Sequence, residues 1–398
     1  MPLGGTGMDR VMKERLFQEF TRIFGDSAQG QCFFAPGRVN LIEEHTDYNG
    51  GHVFPCALTI GTYAVARRRN DRMVQLYSMN FANDGVIRVS LDDMIYRPEQ
   101  VWANYPIGVI KTLLEAGYCV DTGMDILYNG TIPNSSGLSS SASIEVLTAF
   151  IAKQFFNLKI DFVEIAKLTQ RAENCFIGVN CGIMDQFAIA MGKKNHAIFL
   201  DTADLNYTYA PIQLDGMKLV IACSNKKRGL GDSKYNERRS QCEEALRRLQ
   251  TVCSISSLGE LTEEAFEQYR YAIADDVLEQ RAKHAVYENR RTVQAVNALQ
   301  ENDIRRFGEL MNRSHISLRD DYEVTGIELD TLVEAAWKQT GVIGSRMTGA
   351  GFDGCTVSIV KDDAVEQFKQ QVGMEYQEKI GYAADFYVVE IGGGPCCL

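Results

Sequence analysis

The sequence lacks a positive surplus: 41 Lys and Arg stand against 52 Asp and Glu, a formal charge of -11. No global field is therefore available to hold nucleic acid or an anionic membrane surface. A small phosphorylated ligand is not excluded, because a few backbone N–H groups and one or two cations suffice locally. Also missing are low-complexity segments and repeats of fixed period, which sets aside solenoids and propellers. The 11 cysteines, spread from Cys32 to Cys397, include no C-x-x-C pair. Neither a zinc ribbon nor a disulfide scaffold is expected, and the default is reduced, mostly buried thiols. Neither Cys396 nor Cys397 is placed for a C-a-a-X box, so prenylation is not expected. Met1 to Phe17 mixes Asp9, Arg10, Lys13, Glu14 and Arg15 with short apolar pieces, which suits neither a secretion signal nor a membrane span and predicts a cytoplasmic protein. Finally, no G-x-x-x-x-G-K-[ST] occurs, which excludes a P-loop enzyme.

What is present is 398 residues, 45% hydrophobic and 23% charged, enough for two cores with a ligand cleft between them. The patterning predicts a helix over 8–24, strands over 32–35 and 53–69 joined by a long polar turn, and a helix from Ser141 to Phe156 with Ile144, Leu147, Phe150, Ile151 and Phe155 on one face. A second helix is expected from the Asp161 cap to about Phe176, where Gly178 breaks it. Beyond residue 205 the texture changes: strands near 217–224 and 355–360, and long charged helices over 234–249 and 277–302. The domain boundary is placed there, giving 1–205 and 206–398, with a last strand over 385–391 returning to the first domain.

Four segments carry chemistry. Pro133 to Ser143 joins small residues, including Gly137 and Ser139 to Ser141, to a helix start, which makes either a phosphate cradle or a Ser-rich capping loop. Thr348 to Gly354 matches G-x-G-x-x-G, but the β-branched run after it argues against a dinucleotide site. A helix-to-strand turn or a flap beside phosphates remains. Gly37 to Gly51 packs Arg38, Glu43, Glu44, His45 and Asp47 into one turn, which could bind a polyhydroxylated ligand, hold a metal through His45 and Asp47, or be a solvated loop. Asp185, in the apolar setting of Cys181 to Phe187, suits proton acceptance, an arginine partner or a structural cap.

In this order, the four segments resemble the galactokinase branch of the GHMP small-molecule kinases over nearly the whole chain; Asp232 to Arg239 and Leu310 to Asp321 also resemble family segments. The resemblance implies a two-domain fold, with an N-terminal α/β mixed-sheet domain like ribosomal protein S5 domain 2 and a C-terminal ferredoxin-like α+β domain. It implies transfer of the ATP γ-phosphoryl group to the C1 hydroxyl of α-D-galactose, giving galactose 1-phosphate and ADP. By that analogy Asp185 accepts the hydroxyl proton and Arg38 stabilises charge. Glu44, His45, Asp47, Gly182, Asp185 and Tyr235 hold the sugar, and Gly137, Leu138, Ser139, Ser140, Ser141 and Ala142 wrap ATP. Ser141 and Glu173 would take Mg²⁺. A monomer is expected. The family pattern has glycine where this chain has Glu43, Ser135 and Asp353; where φ > 0 is required, a side chain costs roughly 1 kcal/mol, and Asp353 would repel triphosphate. Because Arg38, Asp185 and the serines are kept, the expectation is an active kinase. The alternatives are a non-catalytic galactose and ATP sensor, or a kinase for N-acetylgalactosamine or arabinose.

Overall fold

Alternate residues of the central strands are buried on opposite faces, which demands cover on both sides. The computed structural model describes residues 7–133, 137–226, 231–352 and 354–398; the expectations placed on Ser135 and Asp353 fall outside them. The strands of the first half are β1 (Gln31–Asn40), β2 (His52–Val53), β3 (Pro55–Arg68), β4 (Met73–Ser78), β5 (Ile87–Ser90), β6 (Met124–Gly130), β7 (His196–Asp201) and β8 (Tyr207–Pro211). Its helices are α1 (Gly7–Phe24), α2 (Asn104–Glu115), α3 (Ser140–Phe156), α4 (Phe162–Ala172) and α5 (Met184–Ala190). On the main sheet Phe33, Ala35, Ala64, Ala66, Ile126 and Tyr128 pack with α2 to α5, while Cys32, Val65 and Leu127 pack against Leu16 and Phe20 of α1.

The second half contributes β9 (Met217–Cys223), β10 (Val342–Thr348), β11 (Cys355–Lys361), β12 (Asp385–Val389) and β13 (Cys396–Cys397), with α6 (Gly231–Leu249), α7 (Glu263–Tyr269), α8 (Asp276–Gln300), α9 (Ile304–Asp320), α10 (Gly326–Trp337) and α11 (Val365–Ile380). The sheets run β13-β1-β3-β6-β4-β5, β10-β11-β9-β12 and β2-β7-β8. In the first, β4 and β6 are parallel and the other pairs antiparallel. In the second all pairs are antiparallel, and the order is that of a ferredoxin-like unit whose first crossover has been expanded into α6 to α10. Among the described residues no helix is long and apolar enough to cross a membrane.

Three sequence expectations need correction. The strand foreseen over 385–391 is β12, and it pairs with β9 of the second sheet. The return to the first sheet begins only afterwards: Thr59 N donates to Glu390 O, Gly392 N donates to Ala57 O, and β13 pairs with β1. β12 satisfies the open edge of β9, a partner that its own alternation could not reveal. Second, β1 runs on through Gly37 to Asn40, with a register shift between Pro36 and Arg38. The polar turn therefore starts later than its composition suggested. Third, Cys223 and Cys355 form a disulfide, directly opposed on β9 and β11 with their Cα atoms 4.3 Å apart, and Cys119, Cys175, Cys396 and Cys397 are exposed. Pairing across 132 residues of sequence leaves no spacing signature.

One apolar cluster joins the two halves. Val39, Leu41, Phe54 and Leu138 pack with Leu219, Ile221, Phe307 and Val357. The polar turn after β1 and the loop before α3 are thereby held against the second sheet.

Candidate active site

Arg38 leaves β1 just after the bulge, and Asp185 lies in the first turn of α5. Arg38 Nε donates to Asp185 Oδ1 and its Nη2 to Oδ2, both at 2.8 Å, while Nη1 donates to Gly137 O at 2.6 Å. This is a two-pronged, charge-assisted pair. Arg38 is only 4% exposed. Burial works against its charge, but the Asp185 carboxylate, and more remotely Glu44 and Asp47, hold its pKa above the usual value. The third donor to Asp185 is the Ser139 hydroxyl, which meets Oδ2. Ser139 occupies the cap position of α3 with φ 58 and makes no side-chain cap bond. Its hydroxyl is committed to Asp185 and does not cap the first N–H groups of α3.

Two glycine-rich loops meet at this point. Gly137 has φ 67 and Gly349 φ 87, and a Cβ on Gly349 would stand 2.8 Å from Gly137 O. The 348–354 loop joins β10 to β11, so it is a strand-to-strand turn and not the helix-to-strand turn considered from sequence; the β-branched run after it is β11. Leu138 is buried in the shared core, and its carbonyl accepts from Arg38 N. Gly37 makes that approach possible, since a Cβ there would stand 3.0 Å from Leu138 O.

The turn after β1 brings its acids together. Glu44 Oε1 accepts from Gly349 N at 2.7 Å and faces Arg346 Nη1 at 3.4 Å. Burial pushes the Glu44 carboxyl up to about 7. Asp47 is raised to about 6 by burial and by Asp185, and a Cβ on Gly182 would fall 1.8 Å from Asp47 Oδ2. Only glycine at 182 lets that carboxylate sit there. His45 has φ 65; its Nε2 lies 3.1 Å from Ala350 O and its Nδ1 2.8 Å from the Tyr48 hydroxyl. Because a carbonyl only accepts, Nε2 carries the proton and Nδ1 accepts from Tyr48. Burial lowers the His45 pKa to about 3, keeping the ring neutral. Both nitrogens are thus engaged by the protein, which speaks against the metal reading of His45 with Asp47. Tyr235, on α6, sets its ring 5.5 Å from that of His45 and 5.6 Å from that of Tyr48. A cavity of about 400 Å³ opens here, lined in part by Asp47, Tyr48, Cys181, Gly182 and Arg239.

Beside Asp185 lies a second set of oxygen donors. Glu173 follows α4 on a single wide turn, Glu173–Ile177. Its Oε2 accepts from Gln186 Nε2 at 2.6 Å, and it is hydrogen-bonded to the Ser141 side chain. Burial, then the neighbouring Asp185, raises it to about 7. A hydroxyl and a carboxylate in contact at the head of α3 are hard oxygen donors of the kind Mg²⁺ takes in small number alongside phosphate, so these residues fit that ion. Gln186 also donates to the fully buried Glu145.

Several contributors were invisible in the sequence. Arg346, 0% exposed, donates to Asn40 O at 3.0 Å. Tyr322 joins its hydroxyl to that of Tyr48 at 2.8 Å. His284 reaches Glu44 O at 3.1 Å. Arg346 lies in β10, His284 in α8 and Tyr322 just after α9, with nothing local to mark any of them; only the fold brings them to the turn. Glu43 was noted as a departure, and it does occupy a left-handed conformation, φ 86.

The GHMP kinases N terminal domain matches residues 104–193, the galactokinase galactose-binding signature residues 18–68, and the GHMP kinases C terminal domain residues 295–377. The galactokinase of Clostridium beijerinckii is 62% identical over 379 residues, 95% of this chain and 97% of its own. That of Bacillus subtilis is 55% identical over 383 residues, 96% and 98% of the two chains. The crystal structure of Lactococcus lactis galactokinase complexed with galactose superposes with a TM-score of 0.95 at 50% identity, covering 97% of this chain and all of that one. The Methanococcus jannaschii mevalonate kinase shares the fold, with a TM-score of 0.64 at 19% identity over 92% of this chain and 100% of that one. With its two-domain fold, its arginine-aspartate pair at the head of α3 and full-length relatives of this kind, the chain belongs to the galactokinase family of GHMP kinases.

Proposed function

We propose that the protein transfers the γ-phosphoryl group of ATP to the C1 hydroxyl of α-D-galactose, giving galactose 1-phosphate and ADP. The observation that carries this reading is the Asp185 carboxylate, gripped by Arg38 and touched by Ser139, between the acid-lined turn and the open head of α3. Glu44, Asp47, Asp185 and Tyr235 hold the sugar hydroxyls. Gly182 leaves room for Asp47, and His45, spent on Tyr48 and Ala350, keeps the turn in shape.

As the O1–P bond forms and the bond from γ-phosphorus to the β-bridging oxygen breaks, Asp185 accepts the O1 proton. Arg38 keeps that carboxylate aimed and offsets negative charge at the transferring group. Gly137, Leu138, Ser139, Ser140, Ser141 and Ala142 surround the phosphates with backbone N–H groups and hydroxyls. Ser141 and Glu173 would hold Mg²⁺, which when bound neutralises phosphate charge. Action as a cytoplasmic monomer belongs to the same proposal, its oligomeric part testable by sedimentation.

The test is ADP release from Mg²⁺-ATP across hexoses and pentoses, with calorimetric titration of galactose. Galactose-dependent release is expected. Tight galactose binding without ADP release would point to a sensor, and preferred turnover of N-acetylgalactosamine or arabinose to a different sugar kinase.

A further inference from the structure

Four acids crowd the sugar side of the site, and three have a cation. Asp185 has Arg38, Glu44 has Arg346, and Asp47 feels Arg239. Glu43 is the fourth. It is 0% exposed, and its Oε1 accepts from Thr46 N at 2.6 Å while Oε2 accepts from Asn40 Nδ2 at 3.1 Å. These two bonds tie the end of β1 to the far side of the turn that carries Glu44 and His45 and leads into Asp47. The charged groups that act on Glu43 are Glu44 and Asp47 from the turn itself and Arg346 from β10. Among the described residues Arg346 is ion-paired with Glu44 alone.

We propose that Glu43 is a positioning residue that clasps the sugar-binding turn, and that the clasp holds only while its carboxyl is uncharged. The inference rests on the galactose reading above. A neutral carboxyl still accepts from Thr46 N and Asn40 Nδ2. An ionised one adds a third buried negative charge between Glu44 and Asp47, with no guanidinium of its own, and the repulsion spreads the turn. Burial first, then Asp47 and Glu44, hold Glu43 well above the ordinary carboxyl range, so ionising it works against both neighbouring acids. Galactose affinity then falls on the alkaline side while the Arg38–Asp185 pair is untouched.

The test is calorimetric galactose affinity from about pH 6 to about pH 9.5 for wild type, Glu43→Gln and Glu43→Gly, where glutamine keeps an acceptor without a titrating proton and glycine takes the positive φ freely. Wild type should weaken by about tenfold or more relative to Glu43→Gln across that range, with the two close to equal at the acid end. Glu43→Gly should lack the alkaline loss too, so the question is answered even if the glutamine variant folds poorly. Parallel profiles in wild type and variants overturn the clasp alone. Absence of galactose binding at every pH removes the substrate reading and the clasp with it.

Discussion

Arg38 and Asp185, 147 residues apart, meet through two N–H···O bonds of equal length, 2.8 Å. The pair fixes the plane of the carboxylate, and with it the direction of the lone pair left to accept a proton. Asp185→Asn should lower kcat by at least about 10²-fold while galactose affinity stays within about tenfold. Single-turnover transfer and calorimetry separate the two, and wild-type turnover would sink the proton-acceptor role. Because the substitution leaves a buried guanidinium without its anion, some loss of stability should accompany it.

Gly182→Ala places a methyl group 1.8 Å from Asp47 Oδ2. Asp47 must move, and galactose KM should rise by about tenfold or more with a smaller change in kcat. Unchanged KM would show that Asp47 does not hold the sugar where it now lies.

Gly349→Ala combines φ 87 with a Cβ 2.8 Å from Gly137 O. Both the strain and the pressure on the loop at Gly137 act, so about 1–2 kcal/mol of stability should be lost. ATP KM should rise more than galactose KM. Denaturant unfolding and steady-state kinetics check the two halves of this expectation.

Stability should vary with pH in a direction set by the buried acids. Burial raises Glu44 from 4.5 to about 7 and Asp47 from 3.8 to about 6. Between those limits the folded chain holds protons that the unfolded chain has released. The stability these groups contribute is fully present below the lower limits and is lost as pH rises through the upper ones. His45, lowered from 6.5 to about 3 by burial, acts oppositely and loses stability as pH falls through that window. Comparing wild type with Glu44→Gln isolates the carboxyl: the fall in Tm between about pH 5 and about pH 8 should be smaller in the variant. An equal fall in both would contradict the raised Glu44 pKa.

The helical parts of the site were legible because their signals are local. The apolar steps from Ile144 to Phe155 place α3, and the Asp161 cap, accepting from Glu164 N at 2.8 Å, starts α4. Small residues before a helix marked the loop proposed to hold the phosphates, and dense polar groups after a strand marked the turn proposed to hold the sugar. What stayed hidden depends on distant pairing. Arg346 lies 306 residues from the Asn40 carbonyl it binds, and β12 adds to β9 through a register that its alternation cannot state. The Cys223–Cys355 disulfide is of the same kind. Gly37 was read as the start of the turn because polar groups crowd the segment it opens; it lies at a bulge that lets β1 continue and delivers Arg38.

The segment from Asp385 to Cys397 adds β12 to one sheet and then β13 to the other. Both sheets therefore depend on the same short stretch of chain for one edge each. Displacing that stretch would bare the edges of β9 and β1 at once, so a local fault there opens a pairing surface in each half.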